Sequence, residues 1–225
     1  MSSQANPAAF EPGRRERNKQ EKRRRILAAA GRLFRRKGFA ATTTQEIATA
    51  AGIAAGTLFL YARSKEDLLL LVFMDEMQAV IGRAFATVPA DAPLVDRLMH
   101  IFGGLADYHE EDVPLARAFI REIAFNEDRE RRREVMGVRL AINAGVVRLI
   151  EQAQQCREIS RELDPGDAAQ VYFSVYFLLL QGWLNDDMTR ADFNSLLRRR
   201  LETAVAGSRS RARRPRAGSR INGRS

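Results

Sequence analysis

The segment Thr43–Leu68, with the sequence TTQEIATAAGIAAGTLFLYARSKEDL, constrains the fold of this chain more than any other stretch. Thr43 and Glu46 have the spacing of a capping box, in which each side chain bonds to the backbone N–H of the other residue. Gly52 follows one short apolar stretch later, where a left-handed residue can end the helix without a clash from Cβ. The pattern predicts a short helix that begins at residue 44 and ends at residue 51.

A second short helix is predicted at residues 55–62, directly after this turn. Ser64 and Asp67 then have the spacing of another capping box, which predicts the start of a longer helix. Two short helices joined by a turn that contains glycine form a motif whose second helix fits the DNA major groove. The alternative, a helical corner in an ordinary globular domain, would show the same local pattern.

Four motifs follow one another between Lys19 and Met77: ILAAAGRLFRRKGFAATT, QEIATAAGI, GTLFLY and SKEDLL. In this order and spacing they resemble the TetR family of bacterial transcriptional repressors. The resemblance implies an all-α protein with an N-terminal three-helix DNA-binding domain and a C-terminal helical domain for ligand binding and dimerisation. Beyond Met77 no motif matches, so that half is predicted from helical periodicity and by analogy.

The formal charge of +9 is concentrated at the two ends of the 225-residue chain. Residues 1–25 carry a net charge of +5 and residues 207–225 carry +7, whereas the stretch between them carries −3. Basic ends favour a polyphosphate partner such as double-stranded DNA.

The chain divides into four predicted parts. Residues 1–18 are expected to be a disordered arm, residues 19–79 the DNA-binding domain with its helix-turn-helix at 43–62, residues 80–206 the regulatory and dimerisation domain, and residues 207–225 a disordered Arg-rich tail. Helical patterns are predicted at 19–37, 44–51, 55–62, 65–87, 94–108, 114–126, 129–158, 165–184 and 191–206.

The resemblance implies a DNA-contacting set at the start of the first short helix, along the second, and at the start of the next. Its members are Thr43, Ala54, Ala55, Gly56, Thr57, Phe59, Leu60, Tyr61 and Lys65.

Two departures from the family pattern affect how DNA is read. Ala54 and Ala55 stand where family members often carry Ser and Lys, and Phe59 stands where Tyr is common. Alanine can touch a thymine methyl group but offers no hydrogen bond. Specificity therefore depends either on Thr57, Tyr61, methyl contacts and DNA shape, or on a larger contribution from the arm residues. The arginines at residues 23–25 are placed to meet the DNA backbone or the minor groove.

The helix predicted at residues 165–184 is apolar on nearly all sides, so it must be covered on more than one face. One face is expected to cover the core of its own subunit and another to meet a partner, together with the final helix. The predicted dimer interface consists of Val171, Val175, Leu178, Gly182, Phe193, Leu197 and Leu201. A two-fold dimer would place its half-sites one DNA turn apart, roughly 34 Å. The alternative is a central core helix in a monomer.

Apolar residues between 94 and 150 are either ordinary core or the lining of a ligand cavity. The candidates for a small apolar or amphipathic ligand are Met99, Phe102, Tyr108, Phe119, Ile123, Met136 and Leu140. Gly103 and Gly104 interrupt a helical pattern, which indicates either a kink or the close approach of a ligand.

The residue content favours no enzyme, cofactor or metal site. His100 and His109 are the only histidines, and they do not share a helix face or a nearby cysteine. No nucleophile–base pair or phosphate-binding glycine loop is apparent. The lone Cys156 is expected to be a packed thiol in a reducing cytoplasm, and no apolar run approaches the roughly 20 residues that span a bilayer.

The sequence thus predicts a cytoplasmic homodimeric repressor that binds a palindromic operator and is released by a small molecule. The alternative is a nonspecific, architectural DNA-binding protein that uses its basic ends.

Overall fold

The computed structural model describes residues 13–125 and 128–208, and this part of the chain forms nine α-helices with no β-strand. The all-α prediction is confirmed. The helices are α1 (Arg14–Lys37), α2 (Thr44–Ala51), α3 (Ala55–Leu58), α4 (Lys65–Ala86), α5 (Leu94–Glu110), α6 (Val113–Phe125), α7 (Arg129–Gln155), α8 (Pro165–Leu184) and α9 (Arg190–Gly207).

Helix α1 begins earlier than predicted. The prediction of a disordered arm was wrong for residues 14–18, which are helical. Residues 1–12 and the tail from residue 209 lie outside the described part. The extension contains three arginines and one glutamate, which are strong helix formers. Gln20 also donates to Glu16 one turn earlier, at 3.5 Å.

Helix α3 is shorter than predicted, since only residues 55–58 are α-helical. The next residues tighten into turns, in which the Leu60 N–H bonds to Thr57 O at 3.2 Å and the Tyr61 N–H bonds to Leu58 O at 2.9 Å. Helix α7 ends at Gln155, three residues early, because Arg157 adopts a positive φ of 59°. Cys156 caps this end and is exposed, so its predicted packing was wrong.

The predicted capping box at Ser64 is only half formed. The Ser64 hydroxyl accepts from the Asp67 N–H at 3.1 Å, but the Asp67 carboxylate accepts from the Arg63 N–H at 2.9 Å. The same buried carboxylate pairs with Arg131 at the start of α7, with an Nη2–Oδ2 distance of 3.2 Å. The carboxylate thus keeps a local bond, to the Arg63 N–H instead of the Ser64 N–H, and adds a contact 64 residues away in sequence.

Two apolar cores meet along α4. Its first half, Leu68 to Met74, packs with α1, α2, α3 and part of α6 to form the N-terminal head. Its second half, Met77 to Ala84, packs with α5, α7, α8 and α9 to form the body. Helix α4 therefore belongs to both parts of the molecule.

Helix α9 packs its apolar residues inward. Phe193, Leu197 and Leu201 are fully buried in the body core of their own subunit, so their predicted place in a dimer interface was wrong. The apolar stripe of α9 is a single row, and α5 and α8 cover it. The outer side of α9 is polar and exposed.

Helix α5 runs without a break through Gly103 and Gly104. A Cβ on Gly104 would lie 3.8 Å from that of Ala84, an ordinary packing distance between α5 and α4. In the described part of the chain, no helix combines the length and the apolar character needed to cross a membrane.

The crossing of α4 and α7 at Gly145 gives a test of the packing. A Cβ there would lie 2.2 Å from the Phe85 ring, whereas one on Gly137 of the same helix would meet nothing within 4 Å. Both Gly→Ala changes gain helix propensity, by about 1 kcal/mol. We expect Gly137→Ala to be neutral or stabilising. The free energy of unfolding of Gly145→Ala should be about 1–3 kcal/mol lower than that of Gly137→Ala, because only the change at Gly145 overpacks the core.

Urea unfolding followed by circular dichroism measures this difference. Equal free energies of unfolding for the two variants would contradict the close crossing.

Candidate DNA-binding surface and ligand cavity

The head contains a helix-turn-helix with both ends of its first helix fixed. Thr43 and Glu46 form the predicted capping box, with the Thr43 N–H donating to Glu46 Oε2 at 2.9 Å and the Glu46 N–H donating to Thr43 Oγ1 at 3.2 Å. The Lys37 ammonium and these Thr43 donors lower the pKa of Glu46 to about 2. Gly52 closes the helix in the left-handed region at φ 66°.

The segment after this turn presents apolar side chains to solvent. Leu58 is buried and anchors α3, but Phe59 is 53% exposed and Leu60 is 81% exposed. Thr57 and Tyr61 are half-buried, and Ala54 and Gly56 are exposed. A protein of this size rarely leaves two adjacent large apolar side chains uncovered without a binding role.

Some basic residues near this surface are engaged within the head. The Lys65 ammonium donates to the carbonyls of Phe39 and Ala40 at 3.0 and 3.1 Å and lies 4.6 Å from the Phe39 ring centroid. The Arg25 guanidinium donates to the carbonyls of Ala51 and Gly52 at the end of α2. The sequence predicted that both residues contact DNA, whereas here Lys65 holds the start of α4 against the loop after α1 and Arg25 holds α1 against the end of α2.

A cavity of about 590 Å³ lies in the body, against the head. Its wall is mainly apolar and comes from α4, α5, α6, α7 and α8. The lining residues are Met74, Met77, Leu105, His109, Phe119, Ile120, Ile123, Arg132, Val135, Met136, Val138, Arg139, Ile142, Phe173, Ser174, Tyr176, Phe177, Leu178, Leu180 and Gln181.

Three of the seven predicted ligand residues line this cavity, namely Phe119, Ile123 and Met136. The other four do not line it. Phe102 is fully buried in the core and stacks on Tyr176, while Leu140 is exposed on the outside of α7.

Met99 and Tyr108 are also displaced from the cavity. Met99 lines a shallow groove between α5 and α9. The Tyr108 hydroxyl donates to Glu76 Oε2 at 2.6 Å, and burial raises the pKa of Tyr108.

Sequence reasoning missed the polar residues of the cavity wall, because it weighed only apolar ones. Arg132 and Arg139 lie seven residues, or about two turns, apart on α7, so both face the cavity from the same side of the helix. The available signal was their spacing in register with Val135, Met136 and Ile142. His109 was considered only as a metal ligand, and no group of three metal-ligating residues occurs among the described residues.

The outer face of α8 is an uncovered apolar strip. Val171 is 52% exposed and Leu178 is 62% exposed, with Val175 half-buried between them. Gly182 is half-buried under the Met188 side chain. Asp167 and Arg200 border the strip, and Leu178 lines the cavity as well as the strip.

Comparison with known proteins agrees with this architecture. Residues 26–72 match the sequence model of the tetR family of bacterial regulatory proteins. The fatty acid metabolism regulator protein of Bacillus subtilis (strain 168) is 27% identical over 174 residues, which cover 76% of this chain and 87% of that protein.

Two solved structures share the fold along most of the chain. FadR of Thermus thermophilus, a TetR-family transcriptional repressor in complex with lauroyl-CoA, has a TM-score of 0.69 at 24% identity and covers 87% of this chain and 100% of that one. FadR of Bacillus subtilis, in complex with stearoyl-CoA, has a TM-score of 0.64 at 23% identity, with coverages of 82% and 98%.

The matched segment and the order of its motifs lead to one assignment for the head, and the nine helices of the described residues agree with it. Residues 26–72 form a head of the TetR family of bacterial regulatory proteins, and the chain shares its overall fold with TetR-family regulators.

Proposed function

We propose that this protein is a homodimeric repressor that binds a palindromic operator and is released by a long-chain acyl ligand with an anionic head group. Residues up to 79 read DNA, and residues 80–206 hold the ligand and the second copy. The proposal depends on one observation: Met74 of α4 belongs to the core of the head and also lines the cavity. A ligand in the cavity therefore contacts α4, the helix that supports α3 and the DNA-contacting residues that follow it.

The surface of the head supports the proposal that DNA is read mainly through shape and apolar contact. Phe59 and Leu60 stand out from the end of α3, where the major groove offers thymine methyl groups. Thr57 and Tyr61 supply hydroxyls beside them. Thr43, Ala54, Ala55, Gly56 and Lys65 complete the proposed contact set.

The composition of the cavity supports an amphipathic ligand. An apolar chain is favoured by the methionine, leucine, isoleucine and phenylalanine side chains of the wall. Arg132 and Arg139 supply two guanidinium groups on the same side of α7, and Arg132 is exposed to solvent. Guanidinium groups bind phosphate and carboxylate well, which suits an anionic head. The acyl-CoA complexes of the two FadR proteins have this chemistry.

Dimerisation through α8 is proposed from its uncovered strip. Val171, Val175 and Leu178 form the apolar centre, whereas Gly182 is covered by the Met188 side chain of its own subunit. In a two-fold contact, Asp167 of one copy can pair with Arg200 of the other, since both border the same strip.

Coupling between ligand and DNA is proposed to pass through the buried ion pair between Asp67 and Arg131. The pair joins the first turn of α4 to the first turn of α7, and the side chains are 8% and 14% exposed. Arg63 pairs with Asp128 and Glu130 beside it. Because α7 carries Arg132 and Arg139, a ligand that moves α7 also moves the start of α4.

The central test starts from an operator selected from random DNA. We expect a palindromic site and expect dodecanoyl-CoA to weaken its binding by about a hundredfold, which corresponds to about 2.7 kcal/mol of coupling. Fluorescence anisotropy with labelled operator measures this, with CoA alone as the control. A bound acyl-CoA that leaves operator affinity unchanged would refute ligand control.

A matched pair of exposed leucines tests the reading surface. We expect Leu60→Ala to lower operator affinity by about 1 kcal/mol or more, roughly fivefold or greater, because it removes an apolar contact in the groove. Leu140→Ala, on the outside of α7, should leave operator affinity unchanged. Neither change should lower the melting temperature appreciably, since both side chains are exposed. Equal operator affinity for the two variants would exclude Leu60 from the interface.

Deleting residues 209–225 separates sequence-specific binding from the nonspecific alternative. The deletion removes seven arginines, so it should reduce the dependence of binding on salt while the preference for the selected site persists. If the deletion abolished binding, and random DNA bound the full chain as tightly as the selected site, the protein would be a nonspecific architectural DNA-binding protein and not a repressor.

The ion pair is tested with Arg131→Gln and with Arg133→Gln as the control on the same helix. We expect the control to keep the full response and Arg131→Gln to reduce the acyl-CoA effect on operator affinity from about a hundredfold to about tenfold or less. The measurement is the ratio of operator Kd with and without dodecanoyl-CoA. An unchanged ratio in a folded Arg131→Gln protein would assign the coupling to other contacts.

A further inference from the structure

His109 is a buried polar residue in an otherwise apolar part of the cavity wall. It is 3% exposed, and its Nδ1 atom has no hydrogen-bond partner in the described part of the chain. A buried polar atom without a partner costs about 1–3 kcal/mol, and such atoms are rare in native proteins. His109 lines the cavity, but less than 1 Å² of its Nδ1 atom is accessible, so the ring must turn for this nitrogen to reach a ligand.

Aromatic rings surround the imidazole. The centroids of the Phe73 and Phe119 rings lie 6.3 and 6.4 Å from that of His109, and these two rings stack on each other at 4.3 Å. The imidazole therefore lies beside the stacked pair. Tyr108 has a centroid distance of 5.5 Å. The rings offer no hydrogen bond to the nitrogen atoms of the imidazole.

Burial also fixes the charge state of His109. The apolar surroundings lower its pKa to about 4, so the ring is neutral near pH 7. A neutral imidazole has one donor and one acceptor nitrogen and suits an uncharged polar group better than a carboxylate or a phosphate. The guanidinium groups on α7 are better suited to the anionic part of a ligand.

We propose that His109 binds an uncharged oxygen, a carbonyl or a hydroxyl, on the apolar portion of the ligand. This inference rests on the proposed function and adds a specificity element to it. A plain hydrocarbon leaves the buried nitrogen unsatisfied, whereas an oxygen at this depth satisfies it. Hydrogen-bonding sites of this kind discriminate strongly against analogues that lack the polar group.

The position of His109 also connects ligand recognition to the head. Phe73 belongs to α4 and to the head core, and it packs with Phe119 beside the imidazole. An oxygen bound at His109 therefore lies behind the aromatic pair that supports α4.

Nitrogen-15 NMR of histidine-labelled protein tests the proposal, because the chain has two histidines and one serves as an internal control. His100 does not line the cavity, and its Nε2 lies 2.9 Å from Thr87 Oγ1. The probes are 2-decanone, 1-decanol and decane, each added to the full chain without CoA. The ketone and the alcohol separate the two possible sources of the oxygen.

We expect the ketone or the alcohol to shift the His109 resonances, while decane shifts them little and His100 stays unchanged. His109→Phe keeps the aromatic packing and identifies the signals. It should lower the affinity for the effective oxygen-bearing probe by roughly three- to tenfold and leave decane affinity unchanged.

Two outcomes would overturn the proposal. One is a His109 signal that responds to decane as strongly as to the oxygen-bearing probes, and the other is a signal that responds to none of them, as a permanently bound water would produce. Both are independent of the operator experiment. A failure of dodecanoyl-CoA to release DNA would count against the proposed function, but the His109 measurement could still be interpreted.

Discussion

The enclosure of the first half of α4 on all sides is the constraint on which the rest of the structure depends. Leu68, Leu69, Leu70 and Leu71 are consecutive and all buried, so that turn of the helix has no face toward solvent. Burying one leucine side chain contributes about 1.5–3 kcal/mol, which makes partial exposure of this segment costly. Farther along, one side of the same helix packs against the body while the other faces solvent. Because one helix contributes to both cores, the head and the cavity wall share a structural element.

Several arginines of this protein have structural roles, so the net charge overstates the charge available to DNA. Arg97 is buried and pairs with Glu158 at 3.2 Å, and Arg190 lies over the rings of Trp183 and Phe193 while it pairs with Asp107. Such contacts satisfy the guanidinium group and withdraw it from solvent. Positive charge for phosphates must then come from the exposed side of α1 and from the chain ends. This separation leaves the reading surface itself to apolar and hydroxyl groups.

The sequence predicted the head well because its signals are local. The capping residues Thr43 and Glu46 and the left-handed Gly52 determine α2 whatever surrounds it, and its observed bounds equal the predicted ones. The faces of α9 were mispredicted because periodicity shows that a stripe is apolar but not what covers it. Asp67 shows the same limit, since its spacing predicts a cap while a distant arginine takes one side of its carboxylate. The cavity was only partly predicted, because an empty space depends on where five helices fail to meet.

The composition of the cavity wall bears on which ligands can fill it. The cavity of about 590 Å³ is partly open, since its lining residues Arg132 and Leu178 are exposed to solvent. Water in the cavity meets mostly apolar side chains, so an apolar group that displaces poorly ordered water gains affinity. Met74 lines the cavity and also packs in the head, so a molecule that fills the cavity contacts a residue of the head core. Such a molecule can shift the position of the head only by as much as it binds one arrangement of Met74 and its neighbours better than another.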